Sequence, residues 1–262
     1  MGDRDAADDV AVQRLLRRLD RIGAALAADG RALALLGLGS VGLERDRLDR
    51  WSDLDFFVVV GPGAKGPMIE DLSWLTGVAP VAYAFRNTPD GYKLLYRDGV
   101  LCELAVFEPH ELPGIPFAAG RVVWAQEGFD TTLLRPVRTA PAPPPVDVAW
   151  ATGEALTALY VGLGRYHRGE RLAAARLVQS HAVDRVLEIA ASVEMPTAAP
   201  VDPFAPERRA ERRLPLTAQH LATFVQGYDR TPQSARAVLG WLDEHVDVDP
   251  AMRAAVLALC AD

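Results

Sequence analysis

Ten residues, Pro136 to Pro145, hold five prolines and end in Pro143-Pro144-Pro145. Proline lacks a backbone N–H and fixes φ, so neither a helix nor a central strand continues through such a run. The chain therefore has to be built as two parts, and the patterning on either side differs. Before the prolines, Val12, Leu15, Leu16, Leu19, Ile22 and Leu26 recur at spacings of three and four, the stripe of an amphipathic helix ending near Asp29-Gly30. Short apolar runs follow at 32–36, 56–60, 81–85, 93–96 and 100–107, separated by Gly, Pro, Asn and Asp clusters, and these predict strands. Met68 to Leu75 predicts about two helical turns between the second and third. After the prolines the spacing of Leu156, Leu159, Tyr160 and Leu163 is helical, and 172–193, 216–228, 234–246 and 250–259 predict further helices around an Arg168-Gly169-Glu170 turn. The expectation is an α+β fold: a mixed-sheet domain over 1–140, then an all-helical bundle over 146–262. Pro196 to Pro206 reads as a loop.

Composition narrows the function classes. At 50% hydrophobic and 24% charged, 262 residues suit one large globular domain or two ordinary ones. The net charge of −7 is shared by both parts, 16 basic against 20 acidic residues before Val146 and 12 against 15 after it, so no basic track for nucleic acid is expected. Cys102 and Cys260 cannot form a disulfide framework or a thiolate zinc cage. The acidic N-terminus does not read as a signal peptide, and no run approaches the ~20 apolar residues of a membrane span. A cytoplasmic location without membrane partners is the expectation.

One segment invites a specific chemistry. Gly37, Gly39 and Gly42 satisfy the G-x-G-x-x-G spacing of dinucleotide-binding folds, but 43–50 is short and mostly charged, and the acids precede the next strand rather than ending it. That reading is rejected. The alternative takes Gly39-Ser40, a twelve-residue spacer, and Asp53-x-Asp55 leading into the strand Phe56 to Val60. Side chains at i and i+2 of a strand share a face about 7 Å apart. Two carboxylates so placed repel unless a cation lies between them, and magnesium takes hard oxygen ligands while leaving room for substrate phosphates. Gly39 lets backbone approach a phosphate closely, and Ser40 adds donors. A third acid, Glu103, interrupts the apolar run Val100 to Phe107, which reads as buried on both faces; a carboxylate there is costly unless paired with metal or proton chemistry.

Together Gly39-Ser40, Asp53-x-Asp55 and the strand-borne Glu103 resemble the polymerase-β-type nucleotidyltransferases, and among them the antibiotic-modifying members, lincosamide nucleotidyltransferases of the LinB type and aminoglycoside nucleotidyltransferases. Val78-Ala79-Pro80, the acidic strand running to Glu111 and the Arg168-Gly169-Glu170 turn extend the likeness along the chain. The resemblance implies Mg²⁺, as two ions, on Asp53 and Asp55, a nucleoside triphosphate near Gly39 and Ser40, and Glu103 as the base that activates an acceptor hydroxyl. It also implies a small-molecule acceptor held between the domains, and a homodimer through the helices at 148–163 and 234–246. A protein-modifying nucleotidyltransferase or a non-catalytic nucleotide-binding protein are the alternatives. Elsewhere plainer readings prevail: Gly61 to Gly66 as a surface loop, Arg86 and Lys93 as exposed edge charges, Glu207 to Arg213 as a solvated helix face, Tyr160, His167 and Trp241 as core or interface packing, and no metal role for the histidines.

Overall fold

The computed structural model describes residues 2–138, 145–194, 197, 201–202 and 205–261, with side chains from residue 8 onward. It forms two compact units, Met1–Ala140 and Pro141–Asp262. The centre of the proline run, 139–144, and most of 196–206 lie outside the described residues.

Unit 1 opens with α1 (Gly2–Asp29), then β1 (Ala32–Gly37), β2 (Leu54–Val60), the short helices α2 (Lys65–Glu70) and α3 (Ser73–Thr76), β3 (Val81–Thr88), β4 (Gly91–Tyr96), β5 (Leu101–Phe107) and β6 (Arg121–Ala125). The six strands form one sheet in the order β3-β4-β5-β2-β1-β6. Only β2 and β5 pair in parallel, so the sheet is mixed. A parallel pair needs a crossover, supplied here by α2, α3 and the β3–β4 hairpin. The α1 stripe of Leu15, Leu19, Ile22 and Leu26 is buried on one face of the sheet, against Leu54, Phe56, Val58, Leu94, Tyr96, Cys102 and Leu104. Burying such side chains is worth roughly 1.5–3 kcal/mol each, which fixes the helix on the sheet.

The other face is covered unevenly. Leu36, Val59, Phe107, Leu112, Phe117 and Leu134 form a smaller core there, joined by Phe57 and Ala105, at the C-terminal ends of β2 and β5. Toward the N-terminal ends of the same two strands, that side is left to polar residues, and the candidate site lies there.

Unit 2 is all-helical among the described residues: α4 (Val148–His167), α5 (Arg171–Arg176), α6 (Ala182–Val193), α7 (Ala210–Arg213), α8 (Pro215–Phe224), α9 (Thr231–His245) and α10 (Pro250–Ala261). A π-helical turn, Leu177–His181, joins α5 to α6. The helix starts follow capping chemistry. Asp147 Oδ1 accepts from Trp150 N at 3.0 Å, and Asp249 Oδ1 accepts from Ala251 N and Met252 N at 3.0 and 2.9 Å. The Glu194 carboxylate, beyond α6, accepts from Leu216 N at 2.6 Å and Thr217 N at 3.2 Å, capping α8. After α4 the chain closes a Schellman turn: Gly169 has φ +83°, Glu170 N donates to Arg165 O, and Gly169 N donates to Tyr166 O.

The α+β expectation is borne out, with local differences. Strand β6 has no counterpart in the sequence reading, because its weak alternation is recognisable only against β1. The single helix expected at 68–75 is two, broken at Asp71, whose carboxylate bonds Ser73 N and Oγ at 2.9 Å each. The helix expected to reach Tyr228 ends at Phe224, and Tyr228–Arg230 form a 3₁₀ turn. Lys65 and Gly66, expected in a surface loop, begin α2. Arg213, expected on a solvated face, is buried, its guanidinium bonded to the Arg208 and Pro206 carbonyls. Trp241 is buried and stacked on His245 with ring centroids 4.1 Å apart, whereas Tyr160 is exposed. The apolar side chains of α9, Ala235, Val238, Leu239 and Leu242, are used inside the unit's own core. Of the two helices expected to pair copies, α4 keeps the exposed large apolar residues: Trp150, Tyr160 and Val161. No described helix is long and apolar enough to cross a membrane.

Candidate active site

The acids gather through register. Asp55 on β2 is the Cα partner of Glu103 on β5, and Glu103 is in turn the partner of Lys93 on β4. Registered neighbours project to the same face, so Asp55, Glu103 and Lys93 form a row across three strands, and Asp53 immediately precedes β2. Leu54, Phe56, Cys102 and Leu104, between them in sequence, point into the α1 core.

Gly39 and Ser40 are brought to this row by the turn after β1. Leu38 N donates to Asp55 O at 2.8 Å, which extends the β1–β2 pairing by one residue and places Gly39 beside Asp55. Gly39 has φ +50°, and a Cβ built on it would lie 3.6 Å from Asp55 Oδ2. Gly39–Val41 is a 3₁₀ turn, closed by Gly42 N donating to Leu38 O and Gly39 O at 2.9 and 3.1 Å. Ser40 lies half-buried in it. The three glycines of the G-x-G-x-x-G spacing now have separate reasons. A Cβ on Gly37 would stand 2.9 Å from Val41 O, one on Gly42 would stand 2.6 Å from Gly37 O, and Gly39 takes the left-handed conformation. Beyond Gly42 the chain makes another 3₁₀ turn, Arg45–Arg47, not the helix a dinucleotide fold requires.

Two features differ from the sequence expectation. Glu103 is not enclosed on both faces: its side chain is 46% exposed, because the apolar cover of this side begins only at Phe57 and Ala105, one step further along. Lys93 is not an edge charge. It sits on an interior strand with Nζ 2.9 Å from Glu103 Oε2. Asn87, on β3, donates through Nδ2 to Glu103 Oε1 at 3.3 Å, so both oxygens of that carboxylate are engaged. The Lys93 ammonium is raised above the usual lysine value by its hydrogen bond to Glu103 and that carboxylate's charge, with further contributions from Asp55 and Asp53. It thus pairs with Glu103 and lies in the field of the other two acids. The sequence reading missed the roles of Lys93 and Asn87. The alternation of Lys93 with Tyr92 and Leu94 marked its face, but only strand order reveals its partner.

Arg86, on edge strand β3, bonds the Thr88 and Pro89 carbonyls. Lys65 is held by Asp90 at 2.7 Å and Glu111 at 2.5 Å. Cys102, behind Glu103 in the core, has its thiol pushed up to about 12, mainly by burial, which removes it as a nucleophile. Among the described residues no group of three or more His, Cys, Asp or Glu side chains is arranged to hold a metal ion. Asp53 and Asp55 offer carboxylate oxygens at the start of β2, the hard donor type that magnesium takes.

No family model matches the chain, and no curated protein does. Among solved structures it is similar to an aminoglycoside 6-adenyltransferase from Bacillus subtilis, at 12% identity over 92% of this chain and 89% of that one, with a TM-score of 0.32. A STING-associated CdnE c-di-GMP synthase from Capnocytophaga granulosa gives 8% identity, 97% and 79% coverage and a TM-score of 0.32. The CD-NTase CdnG from Bradyrhizobium diazoefficiens, solved with GTP, gives 15%, 94% and 90%, and a TM-score of 0.26. At such scores, what the site can do is judged from its own residues.

Proposed function

We propose that unit 1 catalyses nucleotidyl transfer from a magnesium-bound nucleoside triphosphate to a hydroxyl of a small acceptor, releasing pyrophosphate. The observation that carries this reading is the pairing of Asp55 with Glu103 on adjacent parallel strands, with Gly39 against the Asp55 carboxylate. Asp53 and Asp55 would hold the ion, and Mg²⁺ bound there would neutralise triphosphate charge. The Gly39–Val41 turn offers backbone and the Ser40 hydroxyl to the phosphates. Glu103 accepts the proton of the acceptor hydroxyl; the freed oxygen attacks the α-phosphorus, and the α–β anhydride bond breaks to expel pyrophosphate.

Lys93 has a part in this sequence. With both Glu103 oxygens engaged, proton transfer requires one partner to withdraw, and Lys93, on a flexible stem, can move its ammonium from carboxylate to phosphate. Nucleic acid is disfavoured as acceptor by the net charge of −7. By its resemblance the acceptor is an antibiotic-like hydroxyl compound, a lincosamide or an aminoglycoside, and ATP the donor.

The test is pyrophosphate release with Mg²⁺, each of the four common nucleoside triphosphates, and a panel of lincosamides and aminoglycosides, using Asp53→Asn as control. Acceptor-dependent release that disappears in the control supports the reading. Turnover retained in Asp53→Asn, at unchanged Mg²⁺ dependence, overturns it.

A further inference from the structure

Unit 2 holds a cleft of about 610 Å³ that the reading of unit 1 does not use. It forms around the turn between α4 and α5 and is lined by Arg165, Glu170, Arg171, Arg176, His181 and Tyr228, with Leu172 and Leu177 also in the lining. Its volume is within the ~300–1,000 Å³ of small-molecule sites.

The charge around it runs against the rest of the protein. Glu170 is engaged by Arg168, with Nε 3.1 Å from Oε1, and Arg171 by Asp229 at 3.3 Å, with its guanidinium also over the Tyr166 ring. Arg165 and Arg176 have no acidic partner among the described residues. Three arginines and one acid thus line the cleft, and Arg168 and Asp229, outside the lining, add one charge of each sign, a local excess of two positive charges in a chain of net −7. His181 lies on the same wall.

The walls are fixed rather than incidental. The π turn that carries Leu177 and His181 also contains Gln179, which is buried. Gln179 Nε2 donates to Gly227 O at 2.9 Å and to Thr231 Oγ1 at 3.1 Å, while its Oε1 accepts from Gly227 N at 2.8 Å. This clamp ties the Tyr228–Arg230 turn to the opposite wall, with Gly227 at φ +99° where a Cβ would be strained. A π turn is a costly departure from the α-helical ladder, and such turns concentrate at functional sites.

We propose that this cleft binds a phosphate-bearing small molecule, read by Arg165, Arg176 and His181. A phosphate group carries about −1.5 to −2 charge at neutral pH, which matches the excess of two, and guanidinium forks suit its oxygens. A polycationic acceptor is repelled from the same place. The assignment does not depend on unit 1 being catalytic.

The experiment is calorimetric titration of the full chain in EDTA, with pyrophosphate, ADP and adenosine as probes. The variants are Arg165→Gln/Arg176→Gln, Arg165→Lys/Arg176→Lys, and Asp53→Asn, with circular dichroism to verify folding. Binding of pyrophosphate or ADP but not adenosine, at least tenfold weaker in the Gln pair and unchanged in Asp53→Asn, is the expected result; the Lys pair should recover part of the loss. ADP binding tenfold tighter than pyrophosphate would identify a nucleotide as the ligand, and equal binding a simple phosphate. No phosphate binding by the wild-type chain, binding unaffected in the Gln pair, or binding lost in Asp53→Asn would each overturn the proposal.

Discussion

Replacing Gly42 by alanine tests the closest backbone contact in the candidate site. The added Cβ would stand 2.6 Å from Gly37 O and 2.9 Å from the Leu38 carbonyl carbon and Cα. All three are backbone atoms, and Gly37 and Leu38 are held to β2, so no side chain can swing aside. The turn must shift by several tenths of an ångström, and overpacking of this kind costs about 1–3 kcal/mol. For a unit of this size that is a fall of about 3–12 °C in its thermal midpoint. The shift also draws Gly39 away from Asp55, so nucleotidyl transfer should fall by more than the folded fraction does. Gly66→Ala is the control: it lies in α2 with nothing within 4 Å of the added Cβ, and should be neutral or stabilising by up to about 1 kcal/mol. Gly120→Ala sharpens the comparison, because its Cβ would stand 2.6 Å from the same Gly37 carbonyl. Two substitutions that displace one carbonyl are coupled, so the double variant should depart from the sum of the singles by more than about 0.5 kcal/mol. The measurement is urea unfolding of the three single variants and the Gly42/Gly120 pair. A Gly42→Ala protein within about 0.5 kcal/mol of wild type would refute the reasoning.

The same contacts set other outcomes. Lys93→Met should tighten Mn²⁺ binding in the absence of nucleotide, read by electron paramagnetic resonance, because it removes the cation that neutralises Glu103 and lies in the field of Asp53 and Asp55; unchanged affinity would argue against the shared-cation role. Gly153→Ala in α4 and Gly240→Ala in α9, both with open space at the added Cβ, should each stabilise unit 2 by about 0.5–1 kcal/mol, whereas Gly162→Ala, whose Cβ would meet Val178 Cγ2 at 2.7 Å, should destabilise it. Urea midpoints shifting in these opposite directions check the packing of α4 on the π turn. Burial holds the Cys102 thiol protonated up to about 12, while the unfolded chain ionises it near 9.0. The folded state therefore retains a proton that the unfolded state loses, so the stability of unit 1 is present below pH 9 and declines as pH rises from 9 toward 12. Thermal melts across that range, with native-state resistance of Cys102 to a thiol reagent, provide the check; a Cys102→Ala variant that keeps the full alkaline decline would contradict this assignment.

Much of the architecture is local and is written in the order of residues. The α1 stripe, the short apolar run at β2 and the helical spacing after the prolines are each local patterns, legible from residues a few positions apart. Asp53-x-Asp55 is visible as a pattern, but the strand begins only at Leu54, so its first acid precedes β2. The break at Asp71 and the π turn at Leu177–His181 are not legible, because each depends on a single competing hydrogen bond or on the packing of a partner helix. The environment of Glu103 escapes a sequence reading for a related cause. Its strand is almost wholly apolar, but apolar neighbours in sequence do not say where the cover of a sheet face stops.

Spacing and residue type alone were enough for the α+β class and for nominating the acids. They could not show that Asp55, Glu103 and Lys93 form one row, that Asn87 holds the second oxygen of Glu103, or that three arginines line a cleft in unit 2. Those relations are set by strand order, register and helix packing. They are contacts between residues far apart in the chain, and no local pattern encodes the distance between them.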